Sequence, residues 1–335
     1  MLIILVWGTI YQSQFGIYKA SLKFFDSYFV FIFGFIPFPG VKLISIILVV
    51  NLIFALIFKV RWKLSNIGNI LIHIGILFLF VSGFYIGAEK VETMLGMKEG
   101  ERFDHSVYYD KWELAFVGEK RDFMYVFDIS DLEDNELMEI EELGLKFKPL
   151  ILYENSLPIY DSNRNLIDLK NKKSEENPYN NKPGVVIELN KGDVKKKIIV
   201  YSGIGYPVFT EIGNKKFFVF LRRKEYELPF KIELKDFEVK FYPGTRIAKS
   251  YKSSVKVYKN NTDFAFTISM NKPLEMGDIT IYQSSYYIDS IGNEYSILQV
   301  VRNKGKYLPY IASIIISLGI LLHFFIMFFI RKRKK

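Results

Sequence analysis

Three stretches of the chain stay apolar for about twenty residues, and between the second and third of them apolar and polar positions alternate over most of the sequence. Val41 to Phe58 is broken only by Lys42, Ser45 and Asn51, Ile67 to Gly87 is similarly apolar, and Tyr310 to Ile330 holds two serines, Gly319 and His323. Runs of this length predict helices that cross the hydrocarbon core of a bilayer. Lone strands there would leave backbone groups unsatisfied, so helix is the reading for each.

From Trp112 onward the period changes to two. Tyr125–Ile129, Lys197–Tyr201, Lys216–Leu221, Phe237–Tyr242, Ser254–Tyr258 and Phe264–Ile268 are short, aromatic or β-branched, and bounded by Gly, Pro, Asn or Asp. That pattern predicts strands. Asp131 to Leu143 is the one helical candidate, acidic and weakly amphipathic. Residues 161–183 turn to Asn, Lys, Ser and Pro and predict a long mobile loop between two β-rich halves.

Basic residues set the expected orientation, because Lys and Arg are retained on the cytoplasmic side. Lys59, Arg61 and Lys63 join the first two spans, and Arg331 to Lys335 follows the last. The expected protein is therefore an integral membrane protein with three clear α-helical transmembrane segments and one partial N-terminal helix. A large all-β domain, sandwich or barrel-like, occupies 88–308 outside the cytoplasmic membrane. Residues 1–40 hold the partial helix and an outer interfacial segment, 41–87 a two-helix hairpin, and 309–335 the final span and a cytoplasmic tail. Met1 to Ile10 makes only ~15 Å of helix, so a half-missing first helix from a late-assigned start is expected; no basic n-region or cleavage site supports a signal peptide. Tyr28 to Pro39, Phe-rich and interrupted by Gly34, Pro37 and Pro39, is expected to lie at the interface.

The formal charge of +9 is largely this topology signal and gives no ground for nucleic-acid binding. The chain has no cysteine, which excludes a disulfide framework or a thiol redox step by its own residues. Any nearby thiol chemistry would belong to a partner.

Of three histidines, His73 and His323 fall inside the apolar runs. Counted from the basic ends, His73 lies ~9 Å and His323 ~10 Å into the bilayer, a match in depth that survives an error of a turn. A neutral imidazole coordinates metals, and haem, with its apolar macrocycle, suits such a place. Either ring could instead hydrogen-bond to a backbone carbonyl or a serine on a neighbouring helix. His105, beside Asp104, reads as a solvated surface residue. Lys59, Arg61 and Lys63 could hold carboxylates of an anionic ligand, although orientation alone explains them. The aromatic stretch Tyr282–Tyr287 could form a groove for a peptide or flat ring, or sheet core.

Several short motifs occur in a familiar order: Gly8-Thr9 with Gln12, Pro39-Gly40, Arg61-Trp62, His73-Ile-Gly-Ile76, Glu99-Gly-Glu101, Leu234 with Asp236-Phe237, Tyr242-Pro-Gly-Thr245, Ser253-Ser254, Asn271-Lys-Pro-Leu274, Gly277 and Tyr282-Gln-Ser-Ser-Tyr286. Together they resemble the ResB family, also called CcsB, of system II cytochrome c biogenesis, over nearly the whole chain. The resemblance implies a subunit in the bacterial cytoplasmic (inner) membrane, C-terminus inside. With a CcsA-type haem-handling partner it would pass haem across the membrane for covalent attachment to apocytochrome c; a thiol-disulfide reductant is a further candidate partner. It also implies haem b as ligand or substrate in transit and His73 as an axial ligand to its iron. His323 as the second ligand follows from depth alone and is not required by the family. The chain lacks the partner's tryptophan-rich segment, so it is expected to be at most part of a synthase. Two other functions compete: a haem-free scaffold that binds apocytochrome c or a thiol-reducing partner, and a substrate-binding receptor fused to a small transporter.

Overall fold

The structure, a computed structural model, describes residues 2–332 except Phe33, Glu176, Arg246 and Asn261. It divides into two compact units: Met1–Val91 with Gly277–Ile279 and Arg302–Lys335, and Glu92–Met276 with Thr280–Val301.

The first unit is helical. It contains α1 (Leu2–Phe15), the short α2 (Ile17–Ala20), α3 (Val41–Phe54), α4 (Ile67–Glu89) and α5 (Leu308–Lys332). Three helical stretches, Val41–Lys59, Leu64–Glu89 and Leu308–Phe329, are long and apolar enough to cross a membrane, and α1 is shorter. Pro309 stands in the first turn of α5, where a missing N–H leaves no helical bond unmade. Tyr28 to Pro39 forms a hairpin of β1 (Phe29–Ile32) and β2 (Ile36–Pro39), with Phe29 opposite Pro39. Gly40 then turns the chain into α3; a Cβ there would lie 2.2 Å from the Ser27 carbonyl oxygen. Ile4, Phe24 and Val30 are buried together and pin α1 to this hairpin, with Trp7 and Tyr11 packed on them.

The second unit is all β. Its strands are β3 (Val91–Lys98), β4 (Arg102–Gly118), β5 (Met124–Asp128), β6 (Met138–Ile140), β7 (Leu145–Tyr153), β8 (Ser156–Tyr160) and β9 (Leu166–Asn171). They continue with β10 (Gly184–Lys191), β11 (Val194–Tyr201), β12 (Val208–Ile212), β13 (Lys215–Phe241), β14 (Ala248–Lys259), β15 (Thr262–Ser269), β16 (Leu274–Met276), β17 (Ile279–Ile288) and β18 (Glu294–Arg302).

Two halves share the long strands β4 and β13. In one half the order β15-β14-β13-β4-β3-β18-β17-β16 curls round until its two end strands, β15 and β16, are joined by a tight turn in which Ser269 and Lys272 exchange backbone hydrogen bonds of 3.1 and 3.0 Å, so the sheet is barrel-like. Met97, Ile232, Leu234, Val257, Ile281 and Leu298 fill it and are buried. In the other half, the far ends of β4 and β13 with β5 and β12 pack on the sheet β11-β10-β7-β6. Phe116, Phe147, Ile187, Leu189, Phe217 and Val219 form the core of that sandwich. Alternation buries one face of each strand, and these inward faces are the apolar ones.

Three local expectations differ from the structure. The strands expected over 216–221 and 237–242 are parts of one strand, β13. Its pairing with β4 shifts register between Arg223 and Glu225 and again between Glu227 and Ile232, and Pro229 sits in that second gap, where it breaks no ladder bond. The acidic stretch 131–143 is not a helix; β6 and two single 3₁₀ turns, Ile129–Asp131 and Glu141–Leu143, occupy it. Within 161–183, β9 pairs with β8, Leu157 opposite Lys170, so the polar composition conceals a hairpin.

Candidate functional site in the helical unit

Glycines set the register of α4 against α5. A Cβ on Gly68 would fall 2.3 Å from the backbone nitrogen of His323, one on Gly75 3.1 Å from that of Ile316, and one on Gly319 2.8 Å from that of Ile72. The two helices are therefore antiparallel, with backbones in direct contact along a stripe of small residues, the arrangement by which apolar helices gain packing without a hydrophobic driving force.

On this register His323 is level with Gly68, and His73 lies five residues further along α4, ~7.5 Å away along the axis and ~140° round it. The depth match expected from composition thus shifts by more than a turn. Depths counted from the ends of apolar runs ignore the register that backbone packing imposes. No porphyrin fits between helices that touch along Gly68, Gly75 and Gly319, and His73 leaves α4 well away from that stripe, so the structure does not bring the two imidazoles together across one site. The His323 ring rests edge-on against Phe324, with centroids 5.9 Å apart.

His73 is half-buried, and its Nδ1 lies 2.8 Å from the Asn69 carbonyl oxygen one turn back. A carbonyl only accepts, so Nδ1 carries the hydrogen and donates it. In the neutral ring the lone pair is then on Nε2, which points out of the helix. A hydrogen bond at the far nitrogen is the usual means by which proteins fix the tautomer and orientation of a ligating histidine. Because the acceptor is main chain, no residue type at position 69 marks this bond in the sequence; Gly68 and Gly75, seven residues apart, mark the face of α4 that packs on α5.

The remaining candidates are surface or core residues. Lys59, Arg61 and Lys63 are exposed, and Trp62 ties down that turn through Nε1–H to the Leu56 carbonyl at 3.0 Å. His105 sits on β4, 3.1 Å from the Asp104 carboxylate and 3.7 Å from that of Glu225. The hydrogen bond with His105 Nδ1 lowers the Asp104 carboxyl from its ordinary value. In the stretch 282–287, Gln283 is buried and bonded to Ser253 and Ser296, while Tyr286 packs on Phe237, Phe241 and Tyr251. Among the described residues no cluster of three or more His, Asp or Glu side chains could hold a bare metal ion.

The sequence model of the ResB-like family matches residues 57–293, from the last residues of the Val41–Lys59 helical stretch through α4 and most of the β unit. The chain belongs to the ResB-like family. A similar protein, Protein NrfI of Wolinella succinogenes, is 36% identical over 100 residues, which is 29% of this chain and 11% of that protein. This ResB-like chain therefore spans well under two thirds of the length of the relative it matches.

Proposed function

We propose that this ResB-like protein serves cytochrome c biogenesis as a haem-handling membrane subunit, with His73 as an axial ligand to haem iron. The observation that carries the reading is the bond from His73 Nδ1–H to the Asn69 carbonyl, which leaves Nε2 as a lone-pair donor on an apolar helix. The residues present suit the group: an imidazole of fixed tautomer on α4, with Ile70, Ile76, Leu77 and Phe80 on the adjoining turns of that helix. When bound there, haem b would be cargo in transit to apocytochrome c, where its vinyl groups are the points of attachment. This chain's part is to orient one imidazole, exclude water and hold the ring among apolar side chains.

The second axial ligand comes from another chain in this reading, since α5 covers the opposite face of α4 and carries His323 away from His73. A CcsA-type protein of the same membrane is the proposed source. In this reading the α3–α4 turn, with Lys59, Arg61 and Lys63, lies on the cytoplasmic side of a bacterial inner membrane and the chain beyond α4 on the outer side, as the retention of basic residues inside supports. The sandwich and barrel of the β unit offer apocytochrome c, or a thiol reductant, a surface outside the membrane.

The test is the visible spectrum of the full chain purified with and without a CcsA-type partner. A b-type spectrum in the wild-type complex, lost with holocytochrome c in His73→Ala, is expected. An unchanged spectrum in that variant would remove the ligand claim, and the haem-free scaffold would take its place if the variant also matured cytochrome normally.

A further inference from the structure

A cleft of about 550 Å³ lies between α3 and α4, at the end of α4 nearest Glu89, closed on one side by Phe25 and Asp26. Its size falls in the range of pockets that hold small organic ligands. The α4 wall consists mainly of Phe80, Phe84, Gly83 and Gly87; nothing stands within 4 Å of where a Cβ would project from either glycine, so bare backbone lies open between two aromatic rings. That is a flat, apolar floor. The α3 wall contributes Lys42 and Ser45. Lys42 makes one long contact, 3.5 Å, to the Asp26 carbonyl oxygen, and its ammonium lies 5.6 Å from the Tyr28 ring centroid, which leaves donors facing the cleft edge.

His73 belongs to the same side of α4. Phe80, Phe84 and Gly87 follow it at seven, eleven and fourteen residues, all within ~40° of its direction, and the cleft begins ~10 Å further along the helix. The path along α4 from His73 to this floor therefore stays off the face that packs on α5.

We propose that the cleft is a second holding site for the porphyrin, with the ring on the Gly83–Gly87 floor against Phe80 and Phe84 and one of its carboxylates on Lys42. This deepens the haem-handling reading and rests on it. Asp26 lines the same edge, so the second carboxylate turns to the open side. A phospholipid could also place a phosphate near Lys42, but a bare, flat floor flanked by rings suits a planar ligand better than acyl chains.

Metal-free protoporphyrin IX separates this site from the iron ligand, because it has no iron for His73 to hold. Titrated into the full chain in detergent, it should show saturable fluorescence enhancement that is equal in wild type and His73→Ala. Binding should weaken about ten-fold in Lys42→Gln, the scale of one lost charge-assisted contact, and equally for the dimethyl ester on the wild type. Gly83→Leu, which fills the floor, should abolish it with thermal unfolding unchanged. Equal binding of acid and ester, or indifference to either substitution, would overturn the proposal. Displacement of acid and ester alike by added phospholipid would assign the cleft to lipid. Loss of the iron spectrum in His73→Ala is read separately, so the two claims fail independently.

Discussion

The backbone nitrogen of His323 occupies the space that a side chain on Gly68 would need, 2.3 Å from the position of a Cβ there. Main chain cannot move aside as a flexible side chain can, so Gly68→Leu must part α4 from α5. Overpacking of this kind costs about 1–3 kcal/mol. A lower unfolding temperature in detergent for Gly68→Leu, with Gly87→Ala nearly neutral, is expected; equal stability of the two would refute the register. The chain has no cysteine, so a cysteine pair placed at Ile72 and Ile316 should be bridged by a short bifunctional maleimide, whereas one at His73 and His323 should not.

The partner of His73 Nδ1 is main chain, not the Asn69 amide. Asn69→Ala should therefore keep both the spectrum and the matured cytochrome yield, while His73→Gly should lose them and recover the spectrum on addition of free imidazole. Failure of Asn69→Ala would mean that the side chain matters, and the tautomer argument would fall with it.

Length and hydropathy made α3, α4 and α5 legible, and period-two alternation located the strands, because burial on one or both sides leaves those marks directly. What the sequence concealed was set by contacts between distant segments. β13 reads as two strands because Lys224 to Glu227 are polar and Pro229 follows, yet both parts pair with β4 across bulges. The apparent equality of His73 and His323 in depth dissolves once Gly68, Gly75 and Gly319 fix the helix register. Tyr282-Gln-Ser-Ser-Tyr286 invited a binding role for its aromatics, but Gln283 points inward. A polar residue in a barrel core is invisible to patterning until its partners are known.

Those partners make a prediction. Ser253 Oγ donates to Gln283 Oε1 at 2.6 Å, Gln283 Nε2 donates to Ser296 Oγ at 3.0 Å, and the two serine oxygens lie 2.7 Å apart, so β14, β17 and β18 are joined inside the barrel. Gln283→Leu removes one partner from each buried serine. Leaving such groups short of a partner costs about 1–3 kcal/mol, whereas Ser284→Ala on the exposed face should stay within about 0.5 kcal/mol. Denaturant unfolding of the full chain measures both, and equal effects would show that the network does not hold the strands.

Acid should loosen the barrel through Glu233. Its carboxylate accepts hydrogen bonds from Lys235 Nζ at 2.5 Å, Tyr258 Oη at 2.5 Å and Arg102 Nη2 at 3.0 Å, linking β4, β13 and β14. These donors, Lys235 first, hold the Glu233 carboxyl at about 2, against an ordinary value of 4.5. The folded state thus binds this proton less readily than the unfolded chain does. The stabilisation is complete above pH 4.5 and is lost as pH falls towards 2, because protonation removes an acceptor from each donor. Screening by water limits its size, because Arg102 and Lys235 reach the largely covered carboxylate from half-exposed positions. Unfolding midpoints of the full chain measured between pH 2 and 7 should fall more steeply below 4.5 in the wild type than in Glu233→Gln. Parallel curves would exclude Glu233 as a source of the acid sensitivity.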